Sequence, residues 1–136
     1  MEERRIYCLH TILKGIREYL EVRIKGKLFW LKVELANINF HNTGHCYLEL
    51  VETRNGQCIA QCRGSIWKSS LESIRKNLGS DFNNIIKKGN EILCLVEVQF
   101  TELYGLNFII RDVDINFSLG ALEKKKQQTI ERLVKE

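Results

Sequence analysis

The 136-residue sequence contains no proline, so it lacks the stiff proline-built linkers that often separate domains. It has no apolar run near the roughly 20 residues that a membrane helix needs. The opening Met1-Glu2-Glu3-Arg4-Arg5 passes straight into an amphipathic pattern. It has neither the apolar core nor the small-residue cleavage site of a signal peptide, and the expected compartment is the cytoplasm. Internal repeats and low-complexity tracts are also missing. The five cysteines are an odd number without a regular framework, which argues against a secreted, disulfide-stapled domain. Cys58 and Cys62 come closest to a pair, but their spacing is not the two-residue gap of a zinc knuckle or redox motif. Cys46, Cys58, Cys62 and Cys94 sit in apolar stretches and are expected to be small buried hydrophobes. Gly44, Gly56, Gly64 and Gly105 form no phosphate-binding loop, and no nucleophile motif is present. No catalytic residue, metal or cofactor is expected.

The length fits one domain with one core. An apolar content of 44% and a charged content of 28% are ordinary for a globular chain. The net charge of +4 permits a polyanionic partner without proving one. Leu9, Ile12, Leu13, Ile16 and Leu20 recur at helical spacing, predicting an amphipathic helix over 8–21 and a basic loop over 21–28. Alternation predicts strands at 29–36 and 45–51, separated by a loop over 37–44. Arg54-Asn55-Gly56 signals a hairpin, followed by a strand over 57–68 that is expected to bulge or curve near Gly64. Leu71, Ile74, Leu78, Phe82 and Ile85 switch the period to helical over 69–86, with a break at Gly79. Strands are expected at 92–101 and 106–115, then a turn over 117–120 and a lysine-rich helix over 121–136. Helix, three strands, helix, two strands, helix is the chain order of the OB-fold, a five-stranded Greek-key barrel. The division expected is a lead-in helix over 1–25, a mainly β barrel over 26–118 and an exit helix over 119–136.

If Cys46, Leu48 and Leu50 face the core, His45, Tyr47 and Glu49 face outward. If Cys62, Gly64 and Ile66 face the core, Arg63, Ser65 and Trp67 face outward. The shared surface would then hold His45, Tyr47, Arg63 and Trp67, with Lys68 continuing a basic track. Aromatic faces stack on unpaired bases and cations follow phosphates. A second reading stays open, in which Tyr47 and Trp67 fill the core, because large aromatics are mostly buried. A one-residue slip in register would exchange the two readings. His41 and His45 have a spacing that could suggest metal, but no acidic or cysteine ligand clusters with them in sequence. Contact with a phosphate, or capping of a turn, suits them better. Glu34, Glu49 and Glu52 read as solvated strand residues. Lys87-Lys88 and Lys124-Lys125-Lys126 read as a solvated turn and a solvated helix.

The segment from Phe29 through Trp30, Glu34, Leu35, Ala36 and Asn37, followed by Thr43-Gly44-His45-Cys46-Tyr47, resembles the N-terminal domain of the exodeoxyribonuclease VII large subunit. In that family a Trp-x-x-x-Glu-(Ile/Leu)-Ser-Asn-like strand leads to a loop ending (Ser/Thr)-Gly-His-x-Tyr. Ile66-Trp67-Lys68 is similar to the family's Met-Phe-Arg, and the stretch from Phe100 to Gly105 to its Leu-Tyr-Glu-x-x-Gly turn. Leu119-Gly120-Ala121-Leu122 is similar to the exit from the domain. Ala36 stands where Ser is commoner, and Asn107-Phe108 where Tyr-Gln is common.

The resemblance implies an OB-fold that binds single-stranded DNA. It implies that the nuclease active site lies in a following domain, absent from this chain, and that a coiled coil beyond it, rather than this domain, holds the small subunit. The chain is thus expected to be the DNA-binding part of a hydrolase that cuts single strands into oligonucleotides. Trp67 and Tyr47 are the expected stacking platforms. Arg63, Lys68 and His45 are expected on phosphates, His41 and Asn39 as loop contacts, and Tyr104 and Arg111 as lesser contacts. Two rivals stand beside this reading: an RNA-binding OB module and a protein-interaction domain.

Overall fold

A computed structural model describes the backbone of residues 3–135 and the side chains of residues 3–127. The elements are α1 (Leu9–Ile24), β1 (Leu28–Phe40), β2 (Cys46–Arg54), β3 (Gln57–Ile66), α2 (Lys68–Leu78), a single 3-10 turn (Gly79–Asp81), α3 (Phe82–Ile85), β4 (Glu91–Thr101), β5 (Gly105–Val113) and α4 (Ile115–Lys135). The five strands close into a barrel in the order β1-β2-β3-β5-β4. The expected mainly β OB-type barrel, with helices before, within and after it, is what the chain forms. Closure leaves no long edge open to another chain. It depends on a short parallel contact of β3 with β5, at Gly64↔Phe108 and Ser65↔Ile109; the other strand pairs are antiparallel.

The inward alternation places Leu35, Cys46, Leu48, Leu50, Ile66, Ile92, Cys94, Val96 and Ile110 in one core. Burying each large aliphatic side chain contributes about 1.5–3 kcal/mol. One end of the barrel is plugged by Leu71, Ile74 and Leu78 of α2 with Phe82 and Ile85 of α3. Gly79, with φ +57, lets the chain turn between these two helices, as the break in period predicts. The β2–β3 hairpin turns on Asn55 (φ 53) and Gly56 (φ 77), the pair of positive φ values that a two-residue turn needs.

Several boundaries differ from expectation for identifiable reasons. β1 continues through Asn37–Phe40 because a bulge between Leu35 and Asn37 resets its register against β2. Gly64 is not bulged; the irregularity in that hairpin lies between Glu52 and Thr53. What Gly64 provides is room, since a Cβ there would stand 2.9 Å from Leu50 Cδ1. β3 ends at Ile66, and Trp67 is the residue before α2 rather than a strand residue. α4 starts at Ile115, not after Gly120. Asp114 sets that start: its Oδ1 accepts the Phe117 N–H at 2.8 Å, a side-chain cap on an unsatisfied helical donor.

α1 runs three residues past its expected end at residue 21, and none of its residues is fully buried. The partly covered stripe is Leu13, Arg17, Leu20 and Ile24, whereas Leu9 and Ile16 are exposed. The helix is therefore rotated from the stripe its apolar spacing suggests. Among the cysteines, Cys46 and Cys94 are buried, but Cys58 is exposed and Cys62 only half-buried. Lys125 is not simply solvated: its Nζ donates to the Gly89 carbonyl at 3.0 Å and fastens α4 to the turn before β4.

Candidate nucleic-acid interface

Because Cys46, Leu48 and Leu50 point inward, Tyr47 points outward from β2, where it is 40% exposed. Its ring meets His41 edge-on at 6.0 Å between centroids, and Trp67 edge-on at 6.5 Å. Trp67 also meets His45 at 5.1 Å. Four rings from the β1–β2 loop, β2 and the β3–α2 junction thus form one connected surface. Trp67 is half-buried, held by the chain's entry into α2 rather than by strand alternation.

Both histidines of this surface have structural tasks. His41 Nδ1 lies 2.9 Å from Thr43 Oγ1 and accepts the Thr43 N–H at 3.3 Å, which caps the tight loop. His45 Nδ1 accepts the Lys68 N–H at 2.9 Å. It satisfies an amide at the start of α2 that the Trp67 side chain leaves open. The neutral His45 ring therefore carries its hydrogen on Nε2 and keeps that donor. Gly44 joins the loop to the helix. Its φ is +95, and a Cβ there would fall 2.9 Å from the Lys68 side chain, so any other residue would be strained and would displace Lys68.

The cations divide into paired and unpaired groups. Arg111 is bound to Glu97 on the adjacent strand and lies outside the groove lined by Tyr47 and Arg63. Arg17 is bound to Glu102 and Glu21. Its hydrogen bond to Glu102 holds that carboxyl below its ordinary value, and it ties α1 to the β4–β5 turn carrying Tyr104. Arg63 and Lys68 have no ion pair among the described residues. Glu49 is the cross-strand neighbour of Arg63; its Oε1 accepts a hydrogen bond from Gln61 Nε2, and no ion pair joins it to Arg63 among the described residues.

The remaining sequence candidates fall in different places. Asn39 is an exposed strand residue opposite Tyr47, not part of a loop. Lys68 is the first residue of α2. Tyr104 is 67% exposed on the β4–β5 turn. Ser65, expected outward and open, is only 3% exposed, because β5 closes over it and Asn107 Nδ2 donates to its Oγ at 3.0 Å. Sequence reasoning did not select Gln99 and Asn107. They are cross-strand partners on β4 and β5 and, with Tyr47, Arg63, Ser65 and Tyr104, line a groove of about 420 Å³. The hairpin turn at Leu103-Tyr104-Gly105 was the available signal that Gln99 and Asn107 pair. It also missed Arg75, whose guanidinium lies 4.3 Å over Phe82 and 5.3 Å over Phe40, locking the end of β1 to the plug.

A closed five-stranded barrel with aromatic and cationic side chains on its outer β2–β3 face defines a nucleic-acid-binding domain of the OB class. The chain belongs to the family described as the OB-fold nucleic acid binding domain, which matches residues 7–114. It is also similar to the exodeoxyribonuclease 7 large subunit of Deinococcus radiodurans, at 26% identity over 99 residues. That match covers 67% of this chain and 23% of the relative, so this chain corresponds to a minor part of the larger protein. The resemblance expected from the Trp30–Tyr47 region is borne out. Among the described residues no helix is long and apolar enough to cross a membrane.

Proposed function

We propose that the chain binds single-stranded DNA on the face formed by His41, Tyr47, Trp67 and His45. In a larger exodeoxyribonuclease VII-like large subunit, it would deliver that strand to a separate nuclease domain. The parent's product would be short oligonucleotides, and its small subunit would bind away from this domain. The observation carrying the reading is the contact of outward Tyr47 with Trp67 beside Arg63 and Lys68, which form no ion pair among the described residues. Aromatic rings need the faces of bases, and a duplex hides those faces in its stack. Each base stacked on a ring contributes about 1–3 kcal/mol by alanine substitution. Lys68 at the start of α2 adds its charge to the positive end of the helix dipole, which favours a phosphate there.

The test is fluorescence anisotropy of a labelled single-stranded oligonucleotide, with wild type and Trp67→Ala at two salt concentrations. Salt-sensitive binding that weakens about 5- to 150-fold in the variant, with unchanged circular dichroism, is expected. No binding at low salt, or binding indifferent to Trp67, refutes the reading and leaves a packing or protein-docking role. Tighter binding to RNA of the same sequence would make the domain an RNA-binding module, because the 2′-hydroxyl distinguishes the two polymers.

A further inference from the structure

The groove between the aromatic surface and the β4–β5 turn differs chemically from the face around Trp67. Its floor is the reciprocal Ser65–Asn107 pair, with Asn107 Nδ2 donating to Ser65 Oγ at 3.0 Å and Ser65 Oγ to Asn107 Oδ1 at 3.3 Å. Gln99 stands beside Asn107 across the strand pair and is exposed. Two tyrosines, Tyr47 and Tyr104, are among the lining residues, and Arg63 is the cation there. Among the described residues no carboxylate lines the groove.

We infer that this groove receives one unstacked base of the bound strand and reads its edge through Gln99 and Asn107. This rests on the single-strand reading proposed above and adds sequence preference to it. Three features select a base over a phosphate or a second backbone. The lining carries the neutral amides of Gln99 and Asn107 and the Ser65 hydroxyl, which suit the paired donors and acceptors of a base edge. The tyrosines supply surface for its ring faces. The volume of about 420 Å³ lies within the range of small-ligand pockets.

The Ser65–Asn107 pair leaves capacity for a ligand. An amide carries two N–H donors and two acceptor lone pairs, and the serine bond uses one of each. Asn107 therefore keeps a free donor and a free lone pair, oriented by its bond to the buried serine. No hydrogen bond fixes Gln99 among the described residues, so its amide can turn to match either sense of a base edge. Arg63, beside Gly105 where a Cβ would lie 3.9 Å from Nη2, is placed at the groove to hold the phosphate of the same nucleotide. Arg17 keeps Tyr104 in place through Glu102, two residues away on the same turn.

The test titrates the full chain into labelled oligo-dA, oligo-dC and oligo-dT of about 16 nucleotides, the upper site size of one OB domain. Wild type is expected to separate the best from the worst of the three by about five-fold or more, the lower bound for a good bidentate base contact. Gln99→Ala and Asn107→Ala are expected to bring the three affinities together. Trp67→Ala is expected to weaken all three while preserving their ratios. Equal wild-type affinities for the three polymers would overturn the inference, as would ratios that survive Gln99→Ala. Either result leaves the single-strand reading standing, whereas absence of binding to all three removes both. If Asn107→Ala unfolds because it strands the Ser65 hydroxyl, Gln99→Ala alone decides, since Gln99 is exposed and buries no partner.

Discussion

Replacing Arg63 and Lys68 by methionine removes two charges while leaving the aliphatic stems, including the Lys68 carbons packed beside Gly44. A single strand releases condensed counterions as its phosphates are neutralised, and the log–log slope of affinity against salt changes by about 0.7 per phosphate. Between 50 and 200 mM salt, a four-fold change, one such contact accounts for about a 2.6-fold loss of affinity. The double variant should therefore lose about seven-fold less affinity over that interval than wild type, and its slope should be about 1.4 shallower. Arg111→Met is the control, because Glu97 already neutralises that guanidinium and a phosphate would have to displace it. The assay is anisotropy over several salt concentrations, with each variant's fold checked by circular dichroism. An unchanged slope in the double variant, or an equal change in Arg111→Met, would refute the division into free and paired cations.

Three further predictions concern the scaffold. Burial pushes the Cys46 thiol up to about 11 and the Cys94 thiol up to about 12, so iodoacetamide at pH 8, followed by mass spectrometry of the intact protein, should modify Cys8 and Cys58 and spare these two. Because the folded state holds those thiol protons more tightly, their stabilising contribution is full below the ordinary thiol value of 9.0 and is lost as pH rises toward 11 and 12; a denaturation midpoint that stays flat across that window would contradict their burial. Asp114→Ala should lower unfolding stability by about 1 kcal/mol through loss of the α4 cap, while Asp114→Asn, which keeps an accepting oxygen, should recover most of it.

The barrel was legible because its signals are local and repeat. Alternation at Leu31, Val33 and Leu35, the Asn55-Gly56 turn and the change of period after Trp67 each arise within a few residues. Where reading failed, the deciding contact lay elsewhere or the local signal was ambiguous. The bulge after Leu35 extends β1 by letting Asn37–Phe40 pair with β2, and nothing in an Asn-rich stretch distinguishes that from a loop. Asp114 reads equally well as a strand end and as a helix cap. Which stripe of α1 meets β4 depends on the Arg17–Glu102 pair, whose members are 85 positions apart.

The same division explains the candidate site. Tyr47 could be placed outward because three apolar residues, Cys46, Leu48 and Leu50, alternate with it and leave one consistent parity. β3 offers a weaker pattern: Cys62 and Gly64 are poor core markers, and the strand stops before Trp67. Trp67 nevertheless reaches the same surface, because His45 anchors the first amide of α2 and brings the junction against β2. The groove beside it was invisible from any single segment. Ser65 and Asn107 meet only where β3 runs parallel to β5, a contact formed when the barrel closes. Closure thus both removes the sheet edges and assembles the polar floor. Disrupting it should therefore take base preference away before the local aromatic surface on β2 is lost.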